Sequence, residues 1–224
     1  MGRAKARARR VVRRGLFGSL RRTTPLSDVW GRDRGTPIDR YYIDAFLREH
    51  SADITGRVVE LLDDRYTARF GISVTQRDVL DVDSSNSAAT IVADLTAADG
   101  IDTDSFDCFI LVQTLHFIYD VHSAVAEVHR TLKPGGVVLC TVPSVSRVSR
   151  RSLDSEYWRF TTAACERLFG GTFGDEYVEV SSYGNVLAAI AFLTGLASEE
   201  LDLSELDTRD PFFPVVIAVR AQKA

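Results

Sequence analysis

The stretch SFDCFILVQTLHFIYDVHSAVAEVHRTLKPGGVVLCTV, residues 105–142, decides the fold. Its first part, Phe106–Val112, is apolar at nearly every position instead of every second one, the mark of a strand buried on both faces. From Val121 to Leu132 the apolar residues fall at 121, 125, 128 and 132, which is helical spacing, and Lys133-Pro134-Gly135-Gly136 then stops the helix and turns the chain. Val137–Val142 repeats the first pattern. Two doubly buried strands joined by an amphipathic helix form a parallel unit with a helix packed on the sheet.

The same alternation extends both ways. Upstream lie apolar runs at Arg57–Leu62, Ile72–Gln76 and Ala89–Ala93, preceded by an amphipathic helix over Arg40–His50. Downstream, Thr161 or Thr162 caps a helix through Phe169 that Gly170-Gly171 ends. A strand at Tyr177–Ser182, an apolar helix over Asn185–Ala197 and a strand at Pro214–Arg220 follow. This order predicts an α/β, doubly wound sheet of about seven strands. In such sheets ligands sit beyond the carboxyl ends of the strands, where the sequence places Asp63 and Asp64, Arg77 and Asp78, Asp94, Gln113–His116 and Pro143–Ser146.

Composition narrows the function. With 224 residues, 45% hydrophobic and 26% charged, the chain is an ordinary globular one, and its longest apolar run, Val186–Ala197, is too short to span a membrane. Residues 1–22 hold nine basic side chains and no acid, which leaves 18 basic against 31 acidic residues in 23–224. We therefore expect a basic, disordered tail over 1–22 and a single acidic domain over 23–224. Such a body disfavours nucleic acid unless the tail binds it, and the tail reads as a solvated leader, an arm for an anionic membrane surface or nucleic acid, or a targeting piece. The three lysines, Lys5, Lys133 and Lys223, carry neither a P-loop nor a Tyr-x-x-x-Lys pair, so P-loop triphosphate hydrolysis and hydride transfer of the short-chain dehydrogenase type are excluded. Cys108, Cys140 and Cys165 have no paired spacing, which speaks against disulfides and a metal site and for the cytoplasm.

Four segments, Gly56–Leu62, Ala93-Asp94-Leu95, Ser105–His116 and Leu132–Gly136, resemble in order and spacing the class I S-adenosylmethionine-dependent methyltransferases, particularly bacterial ones of glycan and secondary-metabolite pathways. Glu156–Thr161 is similar to a segment that follows the fifth strand in that group. The resemblance implies a Rossmann-like, mostly parallel seven-stranded sheet with helices on both faces and an antiparallel last strand. It implies S-adenosylmethionine as cofactor and O-methylation of a small or sugar-containing acceptor. Glu60 would lie near the methionine amino group and Asp78, with Asp81 as its rival, at the ribose hydroxyls. Asp94 and Leu95 would face the adenine, and Gln113, Thr114, Leu115 and His116 would line the methyl-donor pocket. The family's first loop carries an acid-x-Gly-x-Gly pattern, whereas here Leu62 and Asp64 stand at the glycine positions. Either Asp63 or Tyr66 meets the cofactor along another path, or the site is weakened and the chain is a non-catalytic binding or scaffold relative. His116 is the leading general base, with Asp120 and His122 as alternates. Tyr157, Trp158 and Arg159 form either an acceptor wall or a buried anchor in which Arg159 pairs with Glu156 or Asp154.

Overall fold

The computed structural model describes residues 22–150 and 152–224. Residues 1–21, which hold nearly all of the basic tail, lie outside them. The described chain runs α1 (Ile38–Glu49), β1 (Gly56–Leu61), α2 (Arg65–Phe70), β2 (Val74–Asp81), β3 (Ile91–Val92), β4 (Phe106–Val112) and α3 (Val121–Thr131). It continues through β5 (Leu132–Pro143), α4 (Thr162–Phe173), β6 (Val178–Tyr183), α5 (Val186–Thr194), α6 (Leu203–Asp207) and β7 (Val216–Gln222). One seven-stranded sheet has the order β3-β2-β1-β4-β5-β7-β6. β1 to β5 pair in parallel, and β7 runs antiparallel between β5 and β6. The strand order reverses between β1 and β4, so the crevice of a doubly wound fold falls at their carboxyl ends.

Alternate residues of the central strands feed two cores. Val59, Phe109, Leu111 and Val138 pack under α3 and α4, whereas Val58, Cys108, Ile110 and Leu139 pack under α1, α2 and α5. Helices therefore cover both faces, and all three cysteines are free and buried. Among the described residues no helix is long and apolar enough to cross a membrane.

Several boundaries depart from the sequence reading. β2 starts and ends later than Ile72–Gln76 because it stays in register with β1 as far as Leu61 against Leu80, its charged residues satisfied by neighbours. The run Ala89–Ala93 keeps only the two ladder residues of β3. Lys133–Gly136 does not form a separate turn but lies within β5, where the Gly135 N–H donates to Lys223 and a register shift against β4 absorbs the bend. α4 runs through Gly170-Gly171 to Phe173, which is buried against Phe169 at a ring separation of 6.2 Å. That burial outweighs the cost of about 1 kcal/mol per mid-helix glycine. Gly174, with φ +92°, ends the helix instead. α5 is shorter than expected, from the Asn185 cap to the left-handed Gly195. α2 and α6 were not legible in the sequence.

Candidate functional site

Asp81 ends β2 at the mouth of the crevice, with only 7% of its surface exposed. It accepts hydrogen bonds from Asn86 Nδ2 at 2.7 Å and from the Asp83 N–H at 3.0 Å. Asn86 also donates to the Leu62 carbonyl at 2.8 Å and so ties the loop after β1 to the end of β2. Leu62 has φ +70°, the left-handed conformation that glycine adopts most readily. The backbone bend expected of a glycine is thus present without the glycine, and the Leu62 side chain lies 60% exposed on the crevice wall.

Across the crevice Asp94 accepts from the Thr96 N–H and hydroxyl, both at 2.8 Å. Leu61, Leu62, Leu80, Asp81, Asp94 and Leu95, with Gln113, Thr114 and the 117–120 segment, enclose a cavity of about 690 Å³. A second cavity of about 170 Å³ adjoins it through Gln113 and Phe117 and holds His116. Gln113 sits at φ +49° with its side-chain Nε2 buried and unpartnered. The His116 ring lies 4.0 Å from that of Phe117, and its carbonyl accepts from the Tyr157 N–H at 2.8 Å, which seats Tyr157 on the larger cavity. Burial pushes His116 down to about 4, so the imidazole is neutral at physiological pH.

Several expected site residues stand elsewhere. Asp78 does not follow β2 but lies inside it, 6% exposed, where it accepts from Arg57 at 2.7 Å and also from Gln76 and Thr90. The longer reach of β2 hands the terminal position to Asp81. Glu60 lines neither cavity and accepts from the Tyr66 and Thr67 N–H groups and the Thr67 hydroxyl, clamping the start of α2. Asp63 pairs with Arg65 at 2.8 Å, and the Tyr66 hydroxyl accepts from Arg40 at 2.9 Å, so neither lines the cavity. Leu115 is fully buried in the core. Asp120 lines the cavity while capping α3 through Ser123, and His122 is exposed on α3 and lines neither cavity. Trp158 donates to the Ile118 carbonyl, Arg159 pairs with Glu156 at 2.6 Å, and the rings of Tyr157 and Trp158 stay exposed. Sequence reasoning missed Arg32, Arg40 and Arg147, which the fold gathers on the smaller cavity from distant segments.

Burial raises Glu60 to about 7 against the pull of its three donors. Its folded value lies above its unfolded one, so the stability Glu60 contributes is fully present below the ordinary carboxylate range and is lost as pH rises through about 7. Thermal unfolding at pH 5 and pH 8 is expected to show this decline, about 1–3 kcal/mol, and Glu60→Gln is expected to flatten it.

Residues 53–140 match a family model described as "Methyltransferase domain". No curated protein matches the chain. Among solved structures the chain is similar to a SAM-dependent methyltransferase from Archaeoglobus fulgidus, at 12% identity and TM-score 0.56, covering 82% of this chain and 94% of that one. A second, the S-adenosylmethionine-dependent methyltransferase from Mesorhizobium loti, shares 19% identity at TM-score 0.53, covering 79% and 95%. A third is phosphoethanolamine N-methyltransferase 2 of Haemonchus contortus in complex with S-adenosyl-L-methionine, at 17% identity and TM-score 0.55, covering 82% and 52%. Residues 53–140 thus match a methyltransferase domain, and the chain has the fold of the S-adenosylmethionine-dependent methyltransferases.

Proposed function

We propose that the chain is an S-adenosylmethionine-dependent methyltransferase that methylates a hydroxyl of a small or sugar-containing acceptor. The observation that carries this reading is the pair of adjoining cavities sharing Gln113 and Phe117, one of cofactor size and one small and polar. The larger lies within the roughly 300–1,000 Å³ usual for small-molecule sites. Its residues fit the cofactor. Ionised carboxylates only accept, and Asp81 and Asp94 would hold the ribose hydroxyls and the adenine amine, which donate, between walls of Leu62, Leu80 and Leu95. Leu62 supplies the bend in the first loop. Glu60 and Asn86 act behind it as positioning residues.

The bound cofactor supplies a sulfonium methyl open to in-line attack. The chain aligns the acceptor and receives its proton. His116 is kept unprotonated by burial, its Nδ1 has no partner, and Glu156 on the same cavity favours the imidazolium that results from proton uptake. The three free cysteines suit a reducing, cytoplasmic setting, and the basic residues of 1–22 suit contact with an anionic surface.

Isothermal titration with S-adenosylmethionine and S-adenosylhomocysteine tests the reading. Micromolar binding is expected, weakened tenfold or more in Asp94→Ala, about 1.4 kcal/mol. A folded protein that binds neither ligand would be the scaffold relative that the side chains of Leu62 and Asp64 suggest.

A further inference from the structure

Among the described residues four buried side-chain nitrogen or oxygen atoms lack a hydrogen-bond partner: Gln113 Nε2, His116 Nδ1, Arg147 Nε and Thr141 Oγ1. The first three belong to residues lining the 170 Å³ cavity. A buried polar atom left unpaired costs about 1–3 kcal/mol, so native chains keep few of them. Two of these three, Gln113 Nε2 and Arg147 Nε, are donors that one ligand would satisfy together.

Their chemistry limits that ligand. A Gln amide nitrogen and a guanidinium Nε–H only donate, so the occupant presents oxygens that accept. Charge points the same way. Arg32, Arg40 and Arg147 line the cavity against Asp39 and Glu156. Glu156 is already engaged: Oε1 accepts from the Ser149 N–H and the Ser152 hydroxyl, and Oε2 accepts from Arg159. Asp39 accepts from the Arg40 N–H, and burial raises its pKa. Arg32 makes no ion pair among the described residues. Arg147 lies over Trp30, its Cζ 4.0 Å from the ring centre, while another of its nitrogens donates to the Asp28 carbonyl, and its Nε remains free. The loop that carries it is fixed in turn by Arg159, which donates to the Arg147 carbonyl at 2.9 Å.

We propose that the smaller cavity is an oxyanion subsite, in which Arg147 Nε and Gln113 Nε2 grip a carboxylate or phosphate group of the acceptor beside His116. The proposal rests on the methyltransferase reading for the word acceptor, and on the cavity's own residues for the anion.

The test uses the full chain with inorganic phosphate, glucuronate and neutral glucose as probes, read on the ring nitrogens of His116 by NMR, with S-adenosylhomocysteine binding measured on the same samples. Phosphate or glucuronate is expected to shift the His116 signals and raise its pKa by at least one unit, and glucose is not. The tighter of the two anions identifies the group. Arg147→Gln is expected to weaken the anion response tenfold or more and to leave S-adenosylhomocysteine affinity within twofold. Arg147→Lys, which keeps the charge without the Nε donor, is expected to fall between them and serves where the Gln variant does not fold. An equal response to glucose, or an anion response unchanged in both variants, overturns the subsite. An Arg147-dependent anion response in a protein that does not bind S-adenosylhomocysteine keeps the subsite and overturns the methyltransferase reading.

Discussion

Asp81→Ala is expected to weaken S-adenosylmethionine binding by about thirtyfold or more, about 2 kcal/mol. The loss is more than one contact to the ligand. Asp81 accepts from Asn86, and Asn86 in turn holds the carbonyl of Leu62, the residue kept at φ +70° on the cavity wall. Without the carboxylate the Asn86 amide loses one of its two acceptors and the loop after β1 loses its tether to β2. The contrast with Asp78→Ala locates the effect. Asp78 sits three residues earlier in the same strand, and its removal strands the Arg57 guanidinium, so that variant is expected to lose about 2 kcal/mol of stability and to keep its cofactor affinity within twofold. Calorimetric titration and denaturant unfolding of the two variants side by side check both halves. Equal affinities for Asp81→Ala and the parent would remove Asp81 from the site.

Phe109→Ala is expected to destabilise the fold by about 3–5 kcal/mol and to lower Tm by roughly 10 °C. Phe109 lies on β4, opposite Val59 of β1 and Val138 of β5, and none of its surface is exposed. Its ring meets that of Phe106 edge to face at 6.2 Å. The strands on both sides fix the backbone, so the space left by the ring has little room to collapse. A thermal melt with a drop of only one or two degrees would show that this core can repack.

The fold was legible because burial on both faces leaves a compositional trace. The runs at 106–112 and 137–142 are apolar at all but Asp107 and Thr141, the pattern of strands covered on both faces. The extent of β2 was not legible, since Arg77 and Asp78 read as residues beyond its end. They join the strand because Arg57 on β1 and Thr90 before β3 satisfy Asp78, a pairing visible only after the strands align. That single shift moved the terminal acid from Asp78 to Asp81. Asp94 and His116, singled out because they come after apolar runs, line the larger and the smaller cavity respectively. The arginines of the smaller cavity were not singled out: Arg32, Arg40 and Arg147 share no spacing, and the fold alone assembles them. Leu62 shows the opposite case, where a missing glycine pointed to a lost loop geometry that the backbone nevertheless adopts.

The position of β7 between β5 and β6 has a consequence for the nascent chain. β7 is translated after β6, yet it supplies the antiparallel ladder that each of them requires. While the ribosome is still making residues 184–215, β5 and β6 carry unsatisfied edges facing an empty lane of the sheet. Unpaired edges of this kind template association between chains. That exposure ends when Val216–Gln222 emerges and pairs with both β5 and β6.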